Sequence, residues 1–515
     1  MNYDSPRPKV NTIDALPLCK RWLEECESSH ECCRLSTDSF LPTRLIYTGG
    51  SEPQLHLKDQ IDSKIEYATL SHSWGLKKPL TLTSSTLDSF WQRIPPEALP
   101  KTFLDAIHVS KYLGFQYLWI DCLCIIQDSA EDWGKESSLM TQVYGNSALN
   151  IAATPGEDGD VGCFFDRERS WRCQARSSDM HHLFDVYRWG WTRPRRDHLE
   201  TRAWIVQERY LSRRSLHFAE EQIFWECDER PANETYPLEY PTEIDKAHKP
   251  YCLSKRPLAR ESWPGIVQKY AEGNLTKNSD KLIAIGAIAK LVQEQTQDDY
   301  IAGMWRKNLE DQLRWRVRAG HLGQRIPQTT APTWSWASIN GCIEFPEDKD
   351  FANWGGTRGR MCINVQDIQV SHPSQDQFGD VVDVTLRLRC DFLHYAVIED
   401  GGDLMFAKIH FDRGTADNVE IDFDCLDTQS ETHFIHAYVL PISKGVAERW
   451  TNGLLLEPTG RERGQYRRLG YFRAYECDEF EAATKGANLV SRRSNYQFAA
   501  VLTHGTKSQY CIELV

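Results

Sequence analysis

The chain has 515 residues, 41% hydrophobic and 11% aromatic with 17 Trp, so it can bury a large core and is not a disordered chain. Its 60 Lys and Arg against 73 Asp and Glu leave a net charge of −13, the wrong sign for a dedicated nucleic-acid binder, which needs a basic face to neutralise phosphates. Sixteen cysteines fall well below the density of a disulfide scaffold, and a polar, Pro-broken amino terminus with no long apolar run argues for a reduced chain in the cytoplasm with no membrane span.

In chain order, residues 1–60 are a polar lead-in with one predicted helix over residues 13–26, ended by a stretch rich in Cys and His. There Cys26, His30, Cys32 and Cys33, with Cys19 nearby, raise the question of a metal. Zinc takes four tetrahedral sulfur or nitrogen ligands. Adjacent Cys32 and Cys33 do not easily bind alongside His30, and no CxxC pair at zinc-finger spacing completes the set. The expectation is reduced structural cysteines and no metal.

Residues 61–230 alternate strands and helices. Predicted strands cover residues 65–70, 117–120, 148–152 and 215–218, the second being a short apolar run of the kind buried in a parallel sheet. Thr102 is expected to cap a helix carrying Phe103, Ile107 and Leu113, and Asp128-Ser-Ala-Glu131 to open another that runs to about Tyr144. This alternation predicts an α/β layer with a mainly parallel sheet. The basic run Arg193-Pro-Arg-Arg196 reads as a solvated turn. Residues 231–330 are expected to be helical, with helices over residues 263–271, 280–294 and 300–316. In residues 331–515 the period switches to two, as in Val381-Val-Asp-Val-Thr-Leu-Arg-Leu-Arg389, which predicts an antiparallel sandwich or barrel with loops at Trp354-Gly-Gly and Asp400-Gly-Gly.

The chain lacks GxxxxGK[ST], GxGxxG after a strand, HExxH and GxSxG, which argues against a P-loop enzyme, a zinc protease and an α/β-hydrolase. Three segments of residues 61–230 stand out. In Tyr67-Ala-Thr-Leu-Ser-His-Ser-Trp-Gly75 a strand ends in hydroxyls and a glycine, at the sheet edge where α/β folds bind ligands; a tight turn with Trp74 in the core fits the spacing equally well. In Leu118-Trp-Ile-Asp-Cys-Leu-Cys-Ile-Ile-Gln-Asp128, Asp121 follows a buried strand and is placed for ribose hydroxyls or a cation, whereas Asp128 reads as a helix cap. Cys122 and Cys124 sit in apolar company without a cation to activate them.

The third segment, Thr201-Arg-Ala-Trp-Ile-Val-Gln-Glu-Arg209, puts Trp204 and Glu208 four apart on one helix face. An aromatic wall raises a carboxylate's pKa, and such a carboxylate suits an oxocarbenium-like transition state. Arg202 or Arg209 is placed to hold a phosphate. An ion pair of Glu208 with Arg209 or Arg213 on a structural helix is the alternative, and spacing alone favours it.

YATLSHSWG, LWIDCLCIIQD, MTQVYGNSALNIAAT and TRAWIVQERYLSRRSLHF together resemble, in order, the fungal heterokaryon incompatibility (HET) domain over about residues 66–218. Trp22…Cys26…His30-Glu-Cys-Cys33 and Pro42-Thr-Arg-Leu45 before it, and Leu275-Thr-Lys-Asn-Ser-Asp-Lys-Leu282 and Ala331-Pro-Thr-Trp-Ser-Trp-Ala-Ser338 after it, look similar to the same proteins. His72 departs from the family's usual Tyr, which bears only on a hydroxyl contact there. The resemblance implies a role in fungal non-self recognition and programmed cell death, with a distant likeness to TIR domains, some of which cleave NAD. A TIR-like, flavodoxin-like parallel sheet is the fold it implies. TIR-type enzymes carry a Trp four residues before a catalytic Glu, which Trp204 and Glu208 match. By that analogy Glu208 is the catalytic residue, and Ser71, Trp74, Gly75, Asp121, Arg202 and Trp204 line a nucleotide cleft with NAD+ as substrate and no tightly bound cofactor. The implied partners are further copies of the chain on activation and a protein trigger that the sequence does not name. The competing expectation is a non-catalytic signalling module that acts through self-association.

Overall fold

The computed structural model describes residues 9–34, 40–75, 79–168, 171–176, 181–186, 198–238, 262–275, 278–319, 321, 323–326, 331–346, 359–372, 377–379, 381–400, 406–412, 414–425, 434–445, 450–475, 478–484, 501–504 and 507–515. The basic run at 193–196 and the Gly-Gly pairs at 355–356 and 401–402 lie outside them. The chain divides into two compact units, Met1–Pro257 and Leu258–Val515. Among the described residues no helix is long and apolar enough to cross a membrane.

The first unit begins with helix α1 (Leu16–Ser29), whose Leu16, Cys19, Trp22, Leu23 and Cys26 recur at helical spacing and form its buried face. The Trp22 indole donates to the Pro237 carbonyl at 2.7 Å. Next come strands β1 (Arg44–Tyr47), β2 (Gln54–Leu57) and β3 (Ala68–Ser71), helix α2 (Lys101–Leu113), strand β4 (Tyr117–Trp119), helix α3 (Ala130–Gly145) and strand β5 (Leu149–Ala153). Helix α4 (Trp204–Leu211) is followed by β6 (Arg214–Phe218), β7 (Ile223–Cys227) and β8 (Pro231–Asn233).

These eight strands form one sheet in the order β8-β7-β6-β5-β3-β4-β1-β2. The predicted parallel core is present, because β6, β5, β3 and β4 pair in parallel. Both flanks are antiparallel, so the sheet is mixed rather than mainly parallel. Strands β3 and β5 are buried along their whole length, as a sheet covered on both faces requires.

Two expected caps differ. Pro100 precedes α2, and the Thr102 hydroxyl instead accepts from the Gly162 amide at 3.0 Å. Ser129 caps α3 by accepting from Asp132 N, while Asp128 accepts from Ser84 N at 2.8 Å.

The second unit opens with two of the expected helices, α5 (Trp263–Ala271) and α6 (Ile283–Thr296). The helix expected over residues 300–316 does not form. Tyr300–Ile301 and Met304–Trp305 pair as a tiny hairpin, Leu309–Gln312 makes one helical turn, and Arg316–Val317 pairs with Ile343–Glu344. Positive φ at Ala302, Gly303 and Asn308 breaks the helical course despite the apolar spacing.

Beyond lie β9 (Ile363–Ser371), β10 (Asp383–Cys390), β11 (His394–Asp400), β12 (Phe406–Phe411), β13 (Gly414–Phe423), β14 (Phe434–Lys444), β15 (Trp450–Pro458), β16 (Gln465–Tyr475), helix α7 (Asp478–Thr484) and β17 (Lys507–Leu514). The pairings β14-β11-β12-β13-β16-β15 return to β14, all antiparallel, so these six strands close into a ring. Ile398, Ile409, Val419, Val439, Leu455 and Phe472 share one buried cluster with Phe480 and Ala483 of α7. Closure leaves these six strands no free edge, which is the barrel alternative of the two expected forms.

Candidate functional site

The site is built at the carboxyl ends of the parallel strands. Ser71 is the last residue of β3, and Asp121 begins the short helix two residues after β4. From the neighbouring β5, the Asn150 side-chain oxygen accepts from Thr69 Oγ1 at 3.0 Å and from Ser71 Oγ at 3.2 Å. This fixes the strand ends side by side. Past Ser71 the chain turns at Gly75, whose φ of +65° and crowding favour glycine: an added Cβ would lie 2.5 Å from Asp158 Cβ.

Glu208 reaches this edge from α4. Its residue is only 5% exposed, and its Oε2 has no hydrogen-bond partner. Burial pushes the carboxyl up to about 7; the Arg202 charge and the Ser71 and Tyr144 hydroxyls pull it back down, and the Asp121 charge raises it further. Tyr144, from the last turn of α3, has its phenol driven upward by burial and by Glu208. Glu208 thus shares one electrostatic neighbourhood with Ser71, Asp121, Tyr144 and Arg202.

Residues 67–208 match the family described as heterokaryon incompatibility protein (HET). This segment is a HET domain. No curated protein and no solved structure matches the chain. The HET match begins at Tyr67, whose hydroxyl donates to the Val143 carbonyl at 2.7 Å, and ends on Glu208 itself, so it contains every residue of the cluster.

The other candidates fall into those near Glu208 and those turned away from it. The Trp74 indole donates to Asp121 Oδ2 at 2.8 Å, which settles Trp74 beside the carboxylate and half-buried. Arg202 donates to the His72 carbonyl, tying the approach to α4 onto the segment after β3. Trp204, the first residue of α4, is half-buried one turn from Glu208, while Gly75 is exposed. Arg209 turns elsewhere: its guanidinium grips Glu226 at 2.8 and 2.9 Å, and His217 shares that carboxylate at 3.2 Å. Arg213 donates to the backbone carbonyls of Cys32 and Arg34. Among these arginines, Arg202 is the one whose charge acts on Glu208.

The sequence reading did not single out Tyr144, His72 or Asn150 as parts of the site. His72 is 2% exposed, stands edge-on to the Phe103 ring at 4.8 Å and has an Nε2 without a hydrogen-bond partner. Burial lowers its pKa to about 4, partly offset by Asp121, so the ring is neutral at pH 7. Asp121, His72 and Cys122 bring ligand-type atoms within 4.8 Å of one another. Both Asp121 oxygens also accept a hydrogen bond, Oδ2 from Trp74 and Oδ1 from the Cys122 amide at 2.7 Å.

Proposed function

We propose that the HET domain hydrolyses NAD+ and that this reaction serves non-self recognition and programmed cell death, in the cytoplasm. The buried Glu208 carboxyl with an unpartnered oxygen, at the carboxyl edge of the parallel strands, is the observation that carries this reading. A desolvated carboxylate placed against a developing ribosyl cation is worth more than the same group in water. The bond between the nicotinamide nitrogen and ribose C1′ breaks with its electron pair going to the ring nitrogen. Neutral nicotinamide leaves, ionised Glu208 stabilises the oxocarbenium ion, and water adds to C1′ with loss of a proton to give ADP-ribose. In this reading Asp121 and Ser71 take the ribose hydroxyls, Arg202 a phosphate, and Trp74 and Trp204 stack on the ligand.

Glu208 is buried, so its surroundings must rearrange before a dinucleotide reaches it. Assembly with further copies, driven by a protein trigger, is the event that suits this. Purified protein, alone and fused to an oligomerising tag, is to be incubated with NAD+. Nicotinamide release above a Glu208→Ala control is expected in the assembled form, and no release in either form overturns the reading. The same covering favours a second reading, a non-catalytic module that acts by self-association. That reading predicts intact cell death with Glu208→Ala and loss of killing when self-association is blocked.

A further inference from the structure

Four buried side chains from two distant stretches of the first unit meet behind α1. Cys26 lies in the last turn of α1, His30 follows it, Cys33 ends the turn Glu31–Cys33, and Cys227 is the last residue of β7. Their ligand atoms, three sulfurs and one ring nitrogen, all lie within 4.8 Å of one another. His30 Nδ1 is 3.5 Å from Cys227 Sγ and 4.0 Å from Cys33 Sγ. Zinc bonds of about 2.3 Å to sulfur and about 2.0–2.1 Å to nitrogen put tetrahedral ligand atoms roughly 3.5–3.8 Å apart, close to this spacing.

We propose that Cys26, His30, Cys33 and Cys227 bind a structural zinc ion. The donor set is complete with protein atoms, which leaves no open position for catalysis. Cys26, Cys33 and Cys227 are free thiols, and any disulfide among them would strand the third sulfur and His30 in a buried pocket. The surroundings suit a metal-bound thiolate group. Arg214, itself buried, donates from Nε to Cys26 Sγ at 3.2 Å, and the Arg230 amide donates to Cys227 Sγ at 3.4 Å. His30 Nε2 lies 3.8 Å from Glu229 Oε1, the side on which a ligating imidazole takes a carboxylate partner. Three thiolates and a neutral imidazole on Zn2+ carry one net negative charge, which Arg214 offsets. Cys32 is exposed and stays outside, its Sγ 3.5 Å from Glu229 Oε2. Local spacing shows only three of the ligands; the fourth lies 197 residues beyond His30.

The full chain, purified with reductant and without chelator, is to be assayed for metal by mass spectrometry and by cobalt substitution. About one zinc per chain is expected, with a thiolate-to-cobalt charge-transfer band and tetrahedral d–d bands after exchange. Cys33→Ser and Cys227→Ser should each lower zinc affinity by at least roughly tenfold, the loss that even outer-shell changes cause, whereas Cys32→Ser should retain the metal. If the ligand variants do not fold, the unmodified chain still decides: a chelator should lower its melting temperature and added Zn2+ should restore it. Reduced, folded protein that holds neither zinc nor cobalt overturns the proposal, as does a disulfide among the three cysteines or equal zinc loss with Cys32→Ser. Metal content is read without NAD+, so this outcome is independent of the proposed reaction.

Discussion

Glu208 is held at a cost to the fold. Its pKa, raised from the ordinary carboxylate value to about 7, means the folded state binds a proton between those limits that the unfolded chain does not. Stability from this group is therefore full below about pH 4.5 and falls as pH rises through about 7. Glu208→Gln removes the buried charge and is expected to stabilise the protein at pH 8 by up to about 3 kcal/mol, a gain that vanishes at pH 4. Urea denaturation at the two pH values checks this, and a structural ion pair would give the opposite sign. If the proposed hydrolysis holds, its rate should rise with pH through the Glu208 midpoint, because the carboxylate is the active form. Tyr144→Phe removes a hydroxyl that holds the carboxyl down, so the pH–rate profile should move to higher pH while Glu208 stays in place. A loss of rate with no change in midpoint would reduce Tyr144 to packing.

Among the elements, those with a strong period were legible in the sequence: α5 falls on the residues expected of it, and α4 carries Trp204 and Glu208 on one face. The antiparallel flanks of the first sheet were not legible, because a short apolar strand has the same pattern in either direction. Nor was the break at residues 302–308, where left-handed backbone, not hydrophobic spacing, decides the course. Tyr144 and Asn150 lay inside recognised motifs, but their service to Glu208 and Ser71 is made by strand order and not by local sequence. The barrel strand β16 shows the same limit. Its Arg468 is fully buried, bonded through Nε to Asp424 Oδ2 at 2.9 Å, donating to the Leu313 carbonyl and lying 3.5 Å over the Trp315 ring. Asp424→Asn leaves that guanidinium without its counter-charge and should destabilise the second unit by about 3–5 kcal/mol. Replacing both partners by apolar residues should cost much less, and chemical denaturation of the two variants separates the cases.

For the whole molecule, the segment matched by the HET family is smaller than the compact unit that contains it. Residues 67–208 supply only β5, β3 and β4 of the first sheet; the remaining five strands and α1 lie outside that range. Such a fragment exposes both edges of a fully buried parallel core and should aggregate. The fragment 1–257 keeps the eight-stranded sheet with α1 and should remain monodisperse with a cooperative melt. Gel filtration and circular dichroism of the two fragments check this contrast.

The contact between Trp22 and Pro237 joins residues 215 apart in the chain. During synthesis at about 5–20 residues per second, α1 therefore waits roughly 10–40 s before its docking surface leaves the ribosome. The helix Lys101–Leu113, against which α1 also packs, is made well before that, so the face of α1 is covered in two stages during synthesis, and the later one is the natural point for a chaperone to act. A message truncated before β7 yields a chain whose first helix keeps its contact with Lys101–Leu113 but lacks β7 and the Trp22 acceptor, so the cell should clear it rather than accumulate a half-made domain.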